Sequence, residues 1–186
     1  MFLLIFLYIR SMNIALVAHD SRKKELIEWV TYNKEELKKH KLYATGTTGK
    51  LIKEITEKVP VDIAPPEQRW ESEKYLGTYE VPILTNYPLA DCVTCLHSGP
   101  LGGDQEIGAM IANDEIDVLI FFCDNLIQQG HQNDVSALTR LASLYNIAFA
   151  TNRTTADMIL TSPLLKDEKY KRIIPAAIEN YKNRTV

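Results

Sequence analysis

Short apolar runs alternate with segments of helical periodicity along most of the chain, and this alternation restricts the fold more than any other feature. Five runs, at 14–18, 42–45, 93–96, 118–122 and 147–150, are read as continuous rather than alternating strands. Continuous strands of this kind are typical of parallel sheets that helices cover on both faces. The sequence therefore predicts an α/β fold with five parallel strands.

The segments between these runs carry apolar residues three and four positions apart, which is the spacing of one helix face. They predict helices at 21–39, 48–58, 105–113, 135–145 and 155–160, with a last short helix at 175–183. The predicted order of strands and helices fits one domain, and a chain of 186 residues can bury a sufficient core without disulfides or structural metal.

Residues from about 58 to 90 interrupt this order with five prolines and no sustained period. Irregular connections longer than about 12–15 residues are uncommon in compact domains. The segment is therefore predicted to be an insertion, and it could be a tolerated surface loop, a lid or a contact with another chain. Both of its ends attach at the predicted sheet edge away from the strand carboxyl ends, which disfavours a lid.

The apolar stretch at residues 1–9, MFLLIFLYI, is too short to span about 30 Å of hydrocarbon, and no positive residue precedes it as in a signal peptide. We therefore predict an N-terminal extension at 1–11 and a single domain at 12–186, with Met12 as a candidate start. The net charge of −3 disfavours a nucleic-acid partner, and no run suits a membrane helix. Three cysteines without paired spacing fit a reducing compartment, so a cytoplasmic location is expected.

Polar residues cluster directly after the predicted strands, where ligands bind in open α/β sheets. These candidate site residues are His19, Asp20 and Lys23; Thr45, Gly46, Thr47 and Thr48; Ser98, Gly99 and Asp104; and Asp124, His131 and Asp134. Their shared position predicts that they meet at one edge of the sheet.

The TGTTG segment joins a strand end to a helix start, where backbone N–H groups and the positive end of the helix dipole favour an anion. Its threonine hydroxyls add donors, and Lys23 could supply the compensating charge. The alternative is that Thr47 or Thr48 only caps the helix. Because Lys23 and the Ser98–Gly99 pair are expected nearby, we favour a phosphate site.

The segment GPLGGDQ places three glycines just before Asp104, which suggests close backbone approach to a ligand. Asp104 could be a helix N-cap, or it could be a carboxylate base beside that ligand. His131 could be a surface histidine or could donate to a developing oxyanion, and Asp134 could cap the next helix or orient His131. Asp20 is likewise a candidate cap.

Cys92, Cys95 and His97 form a single C-x-x-C-x-H pattern. A structural zinc site normally needs a second pair of ligands, and none follows in the sequence. No metal site is therefore expected.

Taken in order, the segments IALVAHD, LYATGTTG, SGPLGGDQ, IDVLIFF and NIAFATN closely resemble the methylglyoxal synthase family, from Met12 to the C-terminus apart from the insertion. The resemblance implies a three-layer, doubly wound sheet, a cytoplasmic homohexamer and no metal or cofactor. It also implies a lyase that converts dihydroxyacetone phosphate to methylglyoxal and inorganic phosphate, the phosphate being a candidate inhibitor as well as a product.

On the family pattern Asp104 is the base, and His131 and His19 contact the substrate. The resemblance assigns phosphate binding to Lys23, Thr45, Thr47, Thr48, Ser98 and Gly99. Gly46 is a further candidate for substrate binding, and Asp20, Asp124 and Asp134 are candidates for supporting roles. Two departures are Gly130, where the family has proline before the histidine, and His97, where an apolar residue is usual.

Two other activities of the same fold remain as alternatives. One is a non-catalytic effector-binding module similar to the regulatory domain of carbamoyl phosphate synthetase, and the other is a cyclohydrolase-like domain. The presence of both Asp104 and His131 favours catalysis over binding alone.

Overall fold

The structure, a computed structural model, describes residues 10–58, 89–126 and 132–184, without the side chains of 55–58. His131, most of the predicted insertion and residues 1–9 of the predicted extension lie outside the described residues. The boundaries of the predicted extension and insertion therefore stay predictions.

The central element is one five-stranded sheet whose strands are all parallel. The strands are β1 Asn13–Ala18, β2 Lys41–Ala44, β3 Val93–Cys95, β4 Val118–Phe122 and β5 Ala148–Ala150. The predicted α/β class and all five predicted strands are confirmed, each boundary within one residue.

The strand order is β3-β2-β1-β4-β5, so the chain starts in the middle of the sheet and builds outward first on one side and then on the other. In register, Ile14 of β1 lies between Leu42 of β2 and Val118 of β4. The direction of winding reverses between β1 and β4, which confirms the doubly wound topology. A crevice forms outside the carboxyl ends of strands at such a switch point.

Helices cover both faces of the sheet. They are α1 Lys23–Tyr32, α2 Lys34–Leu37, α3 Gly46–Lys58, α4 Gly103–Ala112, α5 Gln132–Leu144, α6 Arg153–Thr161, α7 Pro163–Lys166 and α8 Ala176–Lys182. Short 3-10 turns lie at Asp20–Arg22, Leu89–Asp91 and Gly99–Leu101.

The single helix predicted at 21–39 is wrong in one respect, because the structure divides it into a 3-10 turn, α1 and α2. The division between α1 and α2 lies at Asn33, whose backbone N–H and side-chain amide both donate to the carbonyl of Trp29, at 3.0 and 2.9 Å. Asparagine side chains compete with helical hydrogen bonding in this way, so α1 ends there.

Two apolar layers hold the helices on the sheet. Alternate β1 residues face opposite layers, Leu16 packing with Trp29 on one side and Val17 with Phe121 on the other. Trp29 is fully buried, and its indole N–H donates to a carboxylate oxygen of Asp157 at 2.8 Å. Within the described ranges, no helix combines the length and apolar character needed to cross a membrane.

Candidate active site

A cavity of about 690 Å³ lies at the carboxyl ends of β1 and β4, where the winding of the sheet reverses. Its floor is apolar and comes from the ends of these strands, including Val17, Ala18 and Phe121. The polar residues that line it are His19, Asp20, Lys23, Thr45, Thr47, Ser98, Asp104, Asn133 and Asp134, with Gly99 and Pro100 on its wall.

His19 follows β1 and is buried at the cavity. The backbone N–H of Asp124 donates to its Nδ1 at 2.8 Å, and the ring meets Phe121 edge-on with centroids 5.1 Å apart. A neutral ring that accepts at Nδ1 carries its proton on Nε2. These contacts therefore fix both the tautomer and the orientation of the imidazole, and make Nε2–H a donor.

Asp124 does not line the cavity but contacts residues next to it. Its carboxylate accepts the Ser21 hydroxyl at 2.5 Å and the backbone N–H of Leu126 at 2.9 Å, while its own N–H orients His19. The predicted supporting role of Asp124 is consistent with these contacts.

The TGTTG segment lies at the start of α3, which begins at Gly46 rather than at the predicted residue 48. Neither Thr47 nor Thr48 therefore occupies the cap position that the alternative interpretation gave them. The N–H of Gly46 donates to the carbonyl of His97 at 2.9 Å and that of Gly49 to the carbonyl of Thr45 at 2.8 Å. The N–H groups of Thr47 and Thr48 lie between them in the first helical turn, where the helix dipole favours an anion.

The hydroxyl of Thr45 donates to that of Thr48 at 3.3 Å, and both side chains are buried. Lys23, at the start of α1, brings a cation to the same cavity and forms an ion pair with Asp20. The N-cap positions of the 3-10 turn and of α1 are occupied by His19 and Arg22, so the interpretation of Asp20 as a helix cap is wrong. The Asp20 carboxylate is almost fully exposed.

Asp104 is only 2% exposed, and it lies at the second position of α4. The N-cap of α4 is Gly102, with a φ of 105° that favours glycine, so the interpretation of Asp104 as the N-cap is wrong. A Cβ on Gly99 would lie 3.1 Å from both carboxylate oxygens of Asp104. The glycines of this segment thus permit close packing around a buried carboxylate on the cavity wall.

The structure brings most of the predicted site residues together at one cavity. Gly46 and Thr48 do not line it but are the chain neighbours of Thr47, which does. Asp134 lines it from the third position of α5, so Asp134 is not the cap of that helix. Sequence reasoning missed Asn133, whose place in the polar segment before Asp134 was the available signal.

The Cys92, Cys95 and His97 pattern does not build a metal centre in the structure. The Cys92 thiol contacts the carbonyl of Lys38, and His97 pairs with Glu106. Residues 10–58, 89–126 and 132–184 contain no group of three or more histidine, cysteine, aspartate or glutamate side chains arranged to hold a metal ion. Burial raises the pKa of the Cys123 thiol, which lies just before Asp124, to about 11, so this thiol stays protonated at neutral pH.

Comparisons with known proteins agree on one family. A family model described as MGS-like domain matches residues 76–151. A methylglyoxal synthase of Coxiella burnetii (strain RSA 493 / Nine Mile phase I) is 44% identical over 173 residues, which cover 93% of this chain and 96% of that protein. One from Leptospira interrogans (strain Fiocruz L1-130) is 44% identical over 161 residues, covering 87% and 86%. The chain belongs to the methylglyoxal synthase family.

A solved structure supports the same conclusion. The crystal structure of methylglyoxal synthase from Elizabethkingia anophelis NUHP1 is 39% identical, matches 95% of this chain and 93% of that one, and superposes with a TM-score of 0.68. The resemblance drawn from the sequence segments is therefore confirmed, and so is the prediction of a lyase of the methylglyoxal synthase family. The roles of individual residues stay predictions.

Proposed function

We propose that the chain converts dihydroxyacetone phosphate to methylglyoxal and inorganic phosphate, with Asp104 as the base. The observation that carries this proposal is a buried carboxylate sharing one cavity with a helix N-terminus and a lysine. A substrate with phosphate at one end and an acidic C–H at the other fits such a cavity.

The phosphate is proposed to bind at the start of α3. The backbone N–H groups of Thr47 and Thr48 and the hydroxyl of Thr47, which lines the cavity, supply donors, and Lys23 supplies a positive charge. Ser98 and Gly99 complete the phosphate site from the segment after β3. Binding there would leave the carbon chain of the substrate directed toward Asp104.

Asp104 is proposed to remove a proton from the hydroxymethyl carbon, whose C–H electron pair becomes the C=C bond of an enediolate. Negative charge then grows on the carbonyl oxygen, and the Nε2–H of His19 is a fixed donor for it. His131, which lies outside the described residues, is proposed as a second donor to the substrate and as a proton carrier.

The enediolate then expels phosphate: the hydroxyl group on the deprotonated carbon passes its proton to His131 and becomes the aldehyde C=O, the C=C electrons move to the bond with the phosphate-bearing carbon, and the C–O bond to phosphate breaks. The resulting enolate takes a proton on its methylene carbon and becomes methylglyoxal, and the second proton goes to the released phosphate. Elimination requires the breaking C–O bond to lie roughly perpendicular to the enediolate plane. The phosphate-binding residues therefore determine the product by holding that bond out of the plane.

The proposal is tested by incubating the full chain with dihydroxyacetone phosphate and measuring methylglyoxal and inorganic phosphate together. Equal amounts of both products are expected, and they should still form after dialysis against a chelator. Tight phosphate binding without turnover would instead support the effector-binding alternative.

We further propose that the chain acts in the cytoplasm as a homohexamer. Several large apolar side chains are exposed in the described part of the chain, among them Leu101, Met158 and Ile173, and contacts between subunits would cover such groups. Light scattering measures the assembly directly, and a monomeric mass at assay concentration would contradict the hexamer.

A further inference from the structure

His97 connects the two segments that build the proposed site. Its carbonyl accepts the N–H of Gly46 at the start of the phosphate-binding segment. The same carbonyl lies against the first residue of α4, because a Cβ on Gly103 would be 2.0 Å from its oxygen. The position of the His97 backbone therefore affects both the phosphate end and the Asp104 end of the cavity.

Glu106 holds His97 in this position from the first turns of α4. Its Oε2 accepts the backbone N–H of His97 at 2.8 Å, and its Oε1 lies 2.6 Å from the His97 Nδ1. The two hydrogen bonds, the one from the backbone N–H first, hold the pKa of the Glu106 carboxyl below its usual value. Glu106 is thus a carboxylate at neutral pH, and each of its oxygens contacts His97.

The contact between Glu106 and His97 joins the two ends of the turn that precedes Asp104. Between His97 and Glu106 the chain makes a turn in which the carbonyl of Ser98 accepts the N–H groups of Leu101 and Gly103, at 2.8 and 3.0 Å. Asp104 follows this turn directly and packs against Gly99 within it. The two ends of the turn are joined by Glu106.

We infer that Glu106, through its two contacts with His97, is a positioning residue for the Asp104 carboxylate. Glu106 does not line the cavity, so it acts on the substrate only through the turn. This inference rests on the proposed function, since it assumes that Asp104 removes the proton.

The exposure of the pair distinguishes positioning from a general structural role. The side chains of His97 and Glu106 are 70% and 37% exposed, and exposed ion pairs contribute little to stability. Removing the carboxylate should therefore lower the melting temperature by no more than about 3 °C. Turnover is more sensitive, because misplacement of a reacting group by about 1 Å can cost on the order of 100-fold.

The test compares Glu106→Ala, Glu106→Gln and the control Glu36→Ala in the full chain. Glutamine keeps an acceptor for the His97 N–H and offers a donor to a neutral ring, so it should rescue the contact. Glu36 is also a carboxylate held by two partners, Lys39 at 2.6 Å and Lys166 at 3.1 Å. It lies on α2, which precedes β2 and is remote from the strand carboxyl ends.

Glu106→Ala is expected to lower kcat about 10-fold with KM changed less than about 2-fold, because Lys23 remains and the start of α3 is also held by the hydrogen bond from the Gly49 N–H to the Thr45 carbonyl. Glu106→Gln and Glu36→Ala should keep kcat within about 2-fold of the unmodified chain. Hydrogen exchange should accelerate at residues 98–103 in Glu106→Ala alone.

An unchanged kcat in Glu106→Ala would overturn the inference, whether or not exchange accelerates. A large fall in melting temperature that glutamine does not rescue would also overturn it, since that result indicates a structural role. The unmodified chain is assayed alongside: its failure to make methylglyoxal would overturn the proposed function, and the exchange comparison would still decide whether Glu106 holds the turn.

Discussion

A methyl group added at Gly103 would meet closer neighbours than one added at any other glycine in the segment before Asp104, so Gly103→Ala tests the packing around the proposed base most severely. An added Cβ would lie 2.0 Å from the carbonyl oxygen of His97, 2.9 Å from its carbon and 3.0 Å from the carbonyl carbon of Ser98. All three are backbone atoms, so no side chain can rotate away to relieve the contact.

The required displacement sets the magnitude of the expected effect. Either the His97 carbonyl or the start of α4 would have to move by roughly 1 Å before the closest contact became tolerable. Asp104 is the next residue, and a shift of that size costs on the order of 100-fold in rate. Overpacking of this kind also lowers the free energy of unfolding by about 1–3 kcal/mol.

Gly108→Ala supplies the matched control on the same helix. Its added Cβ would meet only a terminal methyl group of Leu141, at 3.1 Å, and that side chain can move. We expect Gly103→Ala to lower kcat/KM at least about 100-fold and Gly108→Ala to change it less than about 3-fold, measured as methylglyoxal formation. Equal activity in the two variants would refute the argument that this backbone contact positions Asp104.

Three further outcomes follow from other contacts. Lys23→Ala should weaken inorganic phosphate binding about 10-fold or more in calorimetry, because a charged donor is lost, and an unchanged Kd would contradict its role. Burial lowers the pKa of His40, whose Nδ1 accepts the N–H of Met12, so the free energy of unfolding should fall as pH drops below about 6.5, where only the unfolded chain takes up the proton. His40→Gln should flatten this dependence of unfolding free energy on pH, and the same dependence in both proteins would refute the argument. Trp29→Phe should lower the free energy of unfolding by about 1–3 kcal/mol, because it removes the hydrogen bond to Asp157 and leaves a void far from the proposed base, and kcat should be unchanged. Denaturant titration measures this, and a denaturation midpoint equal to that of the unmodified chain would contradict it.

The strands could be predicted from the sequence because burial on both sheet faces leaves a direct trace, a continuous apolar run. The candidate site could be predicted from the same pattern, because the residues that follow parallel strands lie at one edge of the sheet. His19, Thr45 and Asp104 were found in this way and line one cavity.

What the sequence could not predict depends on contacts between segments distant in the fold or on competition within one helix. The break at Asn33 depends on a side-chain amide capturing the Trp29 carbonyl, which helical periodicity does not record. The pairing of His97 with Glu106 depends on how the turn folds back on α4. The sequence marks His97 as a candidate metal ligand and as a departure from the apolar residue usual in the family, because local spacing indicates no other partner.

The central claim, that Asp104 is the base of a phosphate-eliminating lyase, is tested most directly by Asp104→Asn. Asparagine keeps the size of the side chain but cannot take up the proton. We expect kcat to fall by a factor of about 10²–10⁴, with the affinity for inorganic phosphate retained because the groups at the start of α3 are untouched. Turnover close to that of the unmodified chain, with phosphate binding intact, would contradict it.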